Sequence, residues 1–161
     1  EIPLRLVGSE MCIRDRYDAE YRQIKSVMEK HCGQEGYKVI AVNEGGIESI
    51  LRIKEVLDRK EYVCFQGDRF VEGSPTVTLP FMRHEAPFPA GPFAVAGKFR
   101  APVVFYYAMR ERGRRYRFIF DIPDEDGCGT KEAILGSYVR SLEAVVRRYP
   151  QQWFNFYRFW S

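Results

Sequence analysis

The apolar and polar positions of this 161-residue chain divide it into alternating helical and extended segments. Tyr21, Ile24, Met28 and His31 recur at helical spacing after Asp18, a residue suited to cap a helix, and Gly33 and Gly36 close that segment. Residues 37–42 form a short β-rich run, and Asn43-Glu44-Gly45-Gly46 is a turn into a second helix. There Ile47, Ile50, Leu51, Ile53, Val56 and Leu57 make one broad apolar face. Residues 61–65 lack polar alternation, which predicts a central strand covered on both faces.

Beyond Gly67-Asp68-Arg69, a turn at 72–75 leads to a strand over 77–81. Pro87, Pro89 and Pro92 predict a rigid approach to a helix over 93–99, whose Ala94, Ala96 and Gly97 suit close approach to a sheet. A strand over 102–109 then turns at Gly113 into a hairpin partner over 115–120. Asp124-Glu125-Asp126-Gly127 is a loop. The last helix spans 131–148, with Leu135, Tyr138, Leu142, Val145, Val146 and Tyr149 on one face, and Pro150 stops it. Strand, polar tip, helix, strand is an α/β order, and the expected architecture is a mixed central β-sheet flanked by helices, with any ligand beyond the carboxyl ends of the strands. Residues 1–16 show no period. Their VGSEMCIRDR portion resembles translated sequencing-adapter read-through, so the leader is set aside as non-native and 17–161 is read as one domain.

Composition changes this picture little. Net charge is +3, too small to imply nucleic acid. Its distribution is more telling, since 98–117 holds seven basic residues and a single acid, Glu111. That stripe suits phosphates, or it is a solvated strand edge guarded by Arg. The four cysteines form no CxxC pair and have no histidine at zinc spacing, so no metal is expected and the chain reads as reduced and cytosol-facing. No apolar run is long enough to span a bilayer. There is no G-x-S-x-G elbow, P-loop or G-x-G-x-x-G, which removes the common hydrolase and nucleotide-enzyme readings, and no cofactor is implied.

Four blocks in order carry a resemblance: GDR at 67–69, FPAGPFAVA at 88–96, APVVFYYAMRE at 101–111 and RRYPQQWFNFYRFW at 147–160. Together they resemble the lipid A biosynthesis acyltransferases, the late-acyltransferase branch of the lysophospholipid acyltransferase superfamily. The resemblance implies O-acyl transfer from acyl carrier protein to a hydroxyl of a membrane lipid at the cytoplasmic face of a bacterial inner membrane. The family's catalytic pair is a His followed after four residues by an acid. His31 is followed at that position by Gly36 and His84 by Pro89, so the pair is absent and the chain reads as a C-terminal fragment, inactive alone. By the same resemblance Gly67, Asp68 and Arg69 line the acceptor site. Arg69 suits a phosphate and Asp68 a sugar hydroxyl, although a structural pair closing a turn remains the alternative. Arg83 and His84 stand where the family often has Gly and Arg. Arg110 and Glu111 are either phosphate-facing or an ion pair at a strand edge. The tail places six aromatics in eight residues, and Trp153, Phe156 and Trp160 are its candidate membrane contacts. Two other readings stay open, an acyltransferase for an aminolipid or polyene acceptor and a non-catalytic α/β module that binds membranes or a partner.

Overall fold

The computed structural model describes residues 47–70, 73–123, 129–155 and 159–160, with the backbone of Met11–Arg14 and Tyr37–Ile40. The helix expected after Asp18, the acidic loop at 124–127 and Phe156 lie outside the described residues. The chain forms two compact units, residues 1–66 and 67–161. Both are built from helices and strands, and the class is α/β.

In the first unit, β1 (Met11–Arg14) lies between β2 (Tyr37–Ile40) and β3 (Tyr62–Cys64), and both pairings are parallel. The middle strand thus comes from the leader set aside above. Helix α1 (Ile47–Asp58) contacts β2 and β3 and buries Ser49, Ile53 and Val56. Ile47 and Leu51 were expected on that face and are exposed instead. At 3.6 residues per turn they lie about 120–160° around the helix from Ile53, beyond the arc one neighbouring layer can cover. A second correction concerns residues 61–65. Among the described residues β3 pairs on one side only, and Tyr62 is exposed. A short apolar run does not by itself tell a central strand from an edge.

Among its described residues the second unit holds two antiparallel hairpins and two α-helices. β4 (Thr76–Phe81) pairs with β5 (His84–Pro89), and β6 (Phe105–Arg110) pairs with β7 (Tyr116–Asp121). Parallel and antiparallel pairing both occur, but among the described residues they are divided among three small sheets rather than joined in one central sheet. Pro87 and Pro89, expected to form a rigid approach to a helix, belong to a strand. Counting the bond alternation outward from the closing pair Phe81–His84 explains why. Pro80, Pro87 and Pro89 all fall where the backbone nitrogen points away from the partner strand. The turn between these strands is Met82-Arg83, both at positive φ (53° and 70°). Two such residues match the right-handed twist of a hairpin, but Asn-Gly is the usual signal and this sequence lacks it.

Helix α2 (Gly91–Phe99) begins with a proline in its first turn and ends at Arg100, whose backbone N–H reaches Ala96 O and Gly97 O from a left-handed conformation. Helix α3 (Lys131–Arg148) starts at Thr130, whose hydroxyl accepts from Ala133 N at 3.3 Å. The small residues of α2 admit the start of α3 rather than a sheet. A Cβ on Gly97 would stand 2.8 Å from Lys131 N. The core gathers Phe81, Ala86 and Phe88 from the first hairpin, Phe93 from α2, Phe105 from β6 and the inner face of α3, with Phe159 closing it. Tyr138 of α3 is its hub, in ring contact with Phe88, Phe93 and Phe105 at centroid separations of 6.4, 5.3 and 5.2 Å.

Two substitutions test these packing assignments by urea denaturation. Gly97→Ala gains about 1 kcal/mol of helix propensity yet is expected to destabilise by about 1–3 kcal/mol net, because backbone must move to admit the methyl group. Arg83→Gly relieves a left-handed residue and is expected to stabilise by about 1 kcal/mol. A stabilised Gly97→Ala would mean that the two helices separate without cost.

Candidate functional site

The Gly67-Asp68-Arg69 triplet opens the second unit. Gly67 is held against the hub of the core. A Cβ there would be 2.6 Å from Tyr138 Cζ, so any side chain would collide with the ring. This contact fixes where the next two residues emerge. The Asp68 Oδ2 accepts from Trp153 Nε1 at 3.2 Å, and Arg69 Nη2 donates to the Phe154 carbonyl at 2.9 Å. Both acid and base are half-buried. The Phe154 bond uses one N–H of a group that carries five.

Arg110 and Glu111 stand at the end of β6. They do not pair with each other. The Arg110 guanidinium donates to Gly113 O from Nε and Nη2, each at 3.4 Å, folding back over its own turn. Glu111 Oε1 accepts from Arg117 Nε at 2.9 Å and from the Tyr149 hydroxyl at 3.1 Å. The hydrogen bond from Arg117, followed by that from Tyr149, holds the Glu111 carboxyl below the usual carboxylate range. The ion pair expected between Arg110 and Glu111 is thus not formed, and Glu111 pairs with Arg117 instead. The Arg110 backbone is clamped from the other side. Its N–H donates to Gln152 Oε1 at 2.7 Å, and its carbonyl accepts from Gln152 Nε2 at 2.9 Å.

One segment thus reaches all four charged residues picked out in the sequence. After α3 the chain turns through a short 3-10 helix, Pro150–Gln152. Tyr149 meets Glu111, Gln152 meets Arg110, Trp153 meets Asp68, and Phe154 meets Arg69. Sequence reasoning did not find Tyr149, Gln152 or Tyr107. Tyr149 was assigned to the apolar face of α3, yet its hydroxyl is committed to a carboxylate. Gln152 had no signal, because an amide that bonds to backbone leaves no spacing pattern. The Tyr107 hydroxyl donates to Ser141 Oγ at 3.2 Å. Burial pushes its pKa up to about 12, the Ser141 bond opposes that shift, and the charges of Asp121 and Asp68 add to it.

Among the described residues of the tail, Trp153 and Phe159 pack inward and Phe154 is exposed. Trp153 stands edge-on to Phe81, Phe159 and Trp160 at 5.3, 5.1 and 5.7 Å. Trp160 stacks on Phe81 at 6.3 Å, donates Nε1 to Phe81 O at 3.3 Å, and has the His84 ring at 6.4 Å. Of the proposed membrane contacts, Trp153 is half-buried and engaged, and Trp160 keeps one side exposed. Chemically the site offers a carboxylate, guanidinium groups and a tyrosine hydroxyl, a set that binds anions and hydroxyls. Among the described residues no group of three His, Cys, Asp or Glu could hold a metal ion, and no helix is long and apolar enough to cross a membrane.

The Tyr107 environment predicts a pH dependence. Its folded pKa lies above the ordinary value of 10.0, so burying the neutral phenol stabilises the fold below pH 10. That contribution is lost as pH rises from about 10 toward 12. Urea midpoints measured from pH 9 to 11 should fall more steeply for the wild type than for Tyr107→Phe. Parallel curves would place the hydroxyl in water. No protein-family model and no curated protein matches this chain.

Proposed function

We propose that the chain is part of an O-acyltransferase of the lipid A biosynthesis type, with an acyltransferase-like α/β scaffold and a headgroup site built on Asp68 and Arg69. In this reading Arg69 binds a phosphate of the acceptor lipid, and Asp68 orients a sugar hydroxyl beside it. Arg110 and Glu111 frame the site from the end of β6, with Glu111 kept ionised by Arg117. Acyl carrier protein supplies the acyl chain, and the reaction takes place at the cytoplasmic face of the inner membrane. The observation that best supports this is the convergence of all four charged residues on the one segment 149–154, which positions them from two parts of the chain.

The chemistry needs a base to take the acceptor proton as the hydroxyl oxygen attacks the thioester carbonyl. The chain has no His followed after four residues by an acid. The reading therefore assigns that base to residues upstream of this sequence, and the 161-residue chain alone should bind a headgroup without transferring acyl groups.

A soluble phosphorylated glucosamine disaccharide, titrated into the chain by calorimetry, tests this. Binding is expected for the wild type and a loss of about tenfold or more for Arg69→Ala and for Asp68→Asn, at the strength of a charge-assisted contact. Arg69→Ala also removes the Phe154 bond, so its melting temperature should fall slightly, in line with about 1 kcal/mol. Absence of disaccharide binding by a folded wild type sinks the headgroup site. So does binding that Arg69→Ala leaves unchanged.

A further inference from the structure

Among the described residues, a row of exposed apolar side chains lies on one face of the β6–β7 hairpin. Register pairs Tyr106 with Phe120, Ala108 with Phe118, and Arg110 with Tyr116, so these residues share a face. Ile122 extends that face by alternation. Tyr106, Phe120 and Ile122 are 57%, 68% and 62% exposed, and Tyr116 and Phe118 are 47% and 48%. The opposite face carries Phe105, which is buried in the core, and Tyr107, which bonds to α3. Single exposed apolar residues are ordinary, but a contiguous row of this size marks an interaction surface.

Polarity along the face is graded. The hairpin tip carries Arg112, Arg114 and Arg115, all exposed. Tyr116 comes next, and Phe118, Phe120 and Ile122 follow toward the base. Charged, then amphipathic, then apolar is the order that suits a bilayer interface, where guanidinium groups meet phosphates and rings sit at headgroup depth. A second copy fits this gradient poorly. Two faces laid together would either juxtapose the arginine tips or press each tip onto the partner's phenylalanines, at a desolvation cost.

We propose that this face of β6–β7 docks on an anionic lipid bilayer, with Arg112, Arg114 and Arg115 at the phosphates and Tyr116, Phe118 and Phe120 in the headgroup boundary. The contact differs from the one expected of the tail, where Trp153 is already engaged with Asp68. It does not depend on the acyl-transfer reading, since the lipid needs only negative charge and none of these residues belongs to the Asp68–Arg69 site.

Flotation of the whole chain with phosphatidylcholine vesicles, with and without about 30% phosphatidylglycerol, tests the proposal without any sugar headgroup. Binding is expected with the anionic vesicles and should weaken with added salt. The double variant Phe118→Ser, Phe120→Ser should lose at least about tenfold in partitioning. The triple variant Arg112→Gln, Arg114→Gln, Arg115→Gln should lose about 100-fold on anionic vesicles and most of its salt sensitivity. Hydroxyl-radical footprinting of the unmodified chain gives a readout that needs no variant, with protection of Tyr106, Tyr116, Phe118 and Phe120 on adding vesicles. The proposal is overturned by failure to float, by partitioning that the variants leave unchanged, or by vesicle protection elsewhere than on this face. It is equally overturned if the face is protected without vesicles and sedimentation gives the mass of a dimer.

Discussion

The contact of the Tyr138 ring with four separate stretches of chain is the constraint on which the second unit depends. Phe88, Phe93 and Phe105 bring the first hairpin, α2 and β6 to one ring, and Gly67 lies across it with no room for a side chain. Truncating such a ring typically costs about 3–5 kcal/mol, a large share of a small domain's stability. Its position also decides where Asp68 and Arg69 emerge. Core packing and the placement of polar groups are thus one problem here.

The polar groups are held by residues 149–154 through bonds of differing kinds. Arg69 is met at a carbonyl, the Arg110 backbone by a side-chain amide, Asp68 by an indole N–H and Glu111 by a phenol. Such mixed bonding fixes the donors and acceptors of the site. Glu111 is neutralised by Arg117. Bonds of this kind hold the polar groups in place, as the proposed headgroup site at Asp68 and Arg69 requires.

Much of the secondary structure was legible from periodicity. Helix α3 falls on the span that its apolar spacing and Pro150 predict, and the β6–β7 hairpin turns where Gly113 stands. The β4–β5 hairpin was hidden by its own chemistry. Three prolines at positions that need no ladder bond look like strand breakers, and Met82-Arg83 is an unusual pair for a tight turn. The broad face expected of α1 proved narrower, because an apolar residue is not obliged to be buried. Asp68, Arg69, Arg110 and Glu111 could be singled out by strand-end position and by resemblance. Their partners could not, because the Trp153, Gln152 and Tyr149 contacts span from 38 to 85 residues of sequence and follow no local rule.

The Gln152 clamp has a topological consequence. Glu111 N–H bonds to Arg115 O across the hairpin, so the neighbouring Arg110 directs its N–H and carbonyl toward the open edge of β6. Those are the groups a further strand would seek, and a single carboxamide occupies both. Among side chains only an amide presents a donor and an acceptor at the required spacing, so Glu in its place would satisfy the N–H and orphan the carbonyl. Gln152 acts as a one-residue stopper, ending lateral growth of the sheet at the point where the charged site begins.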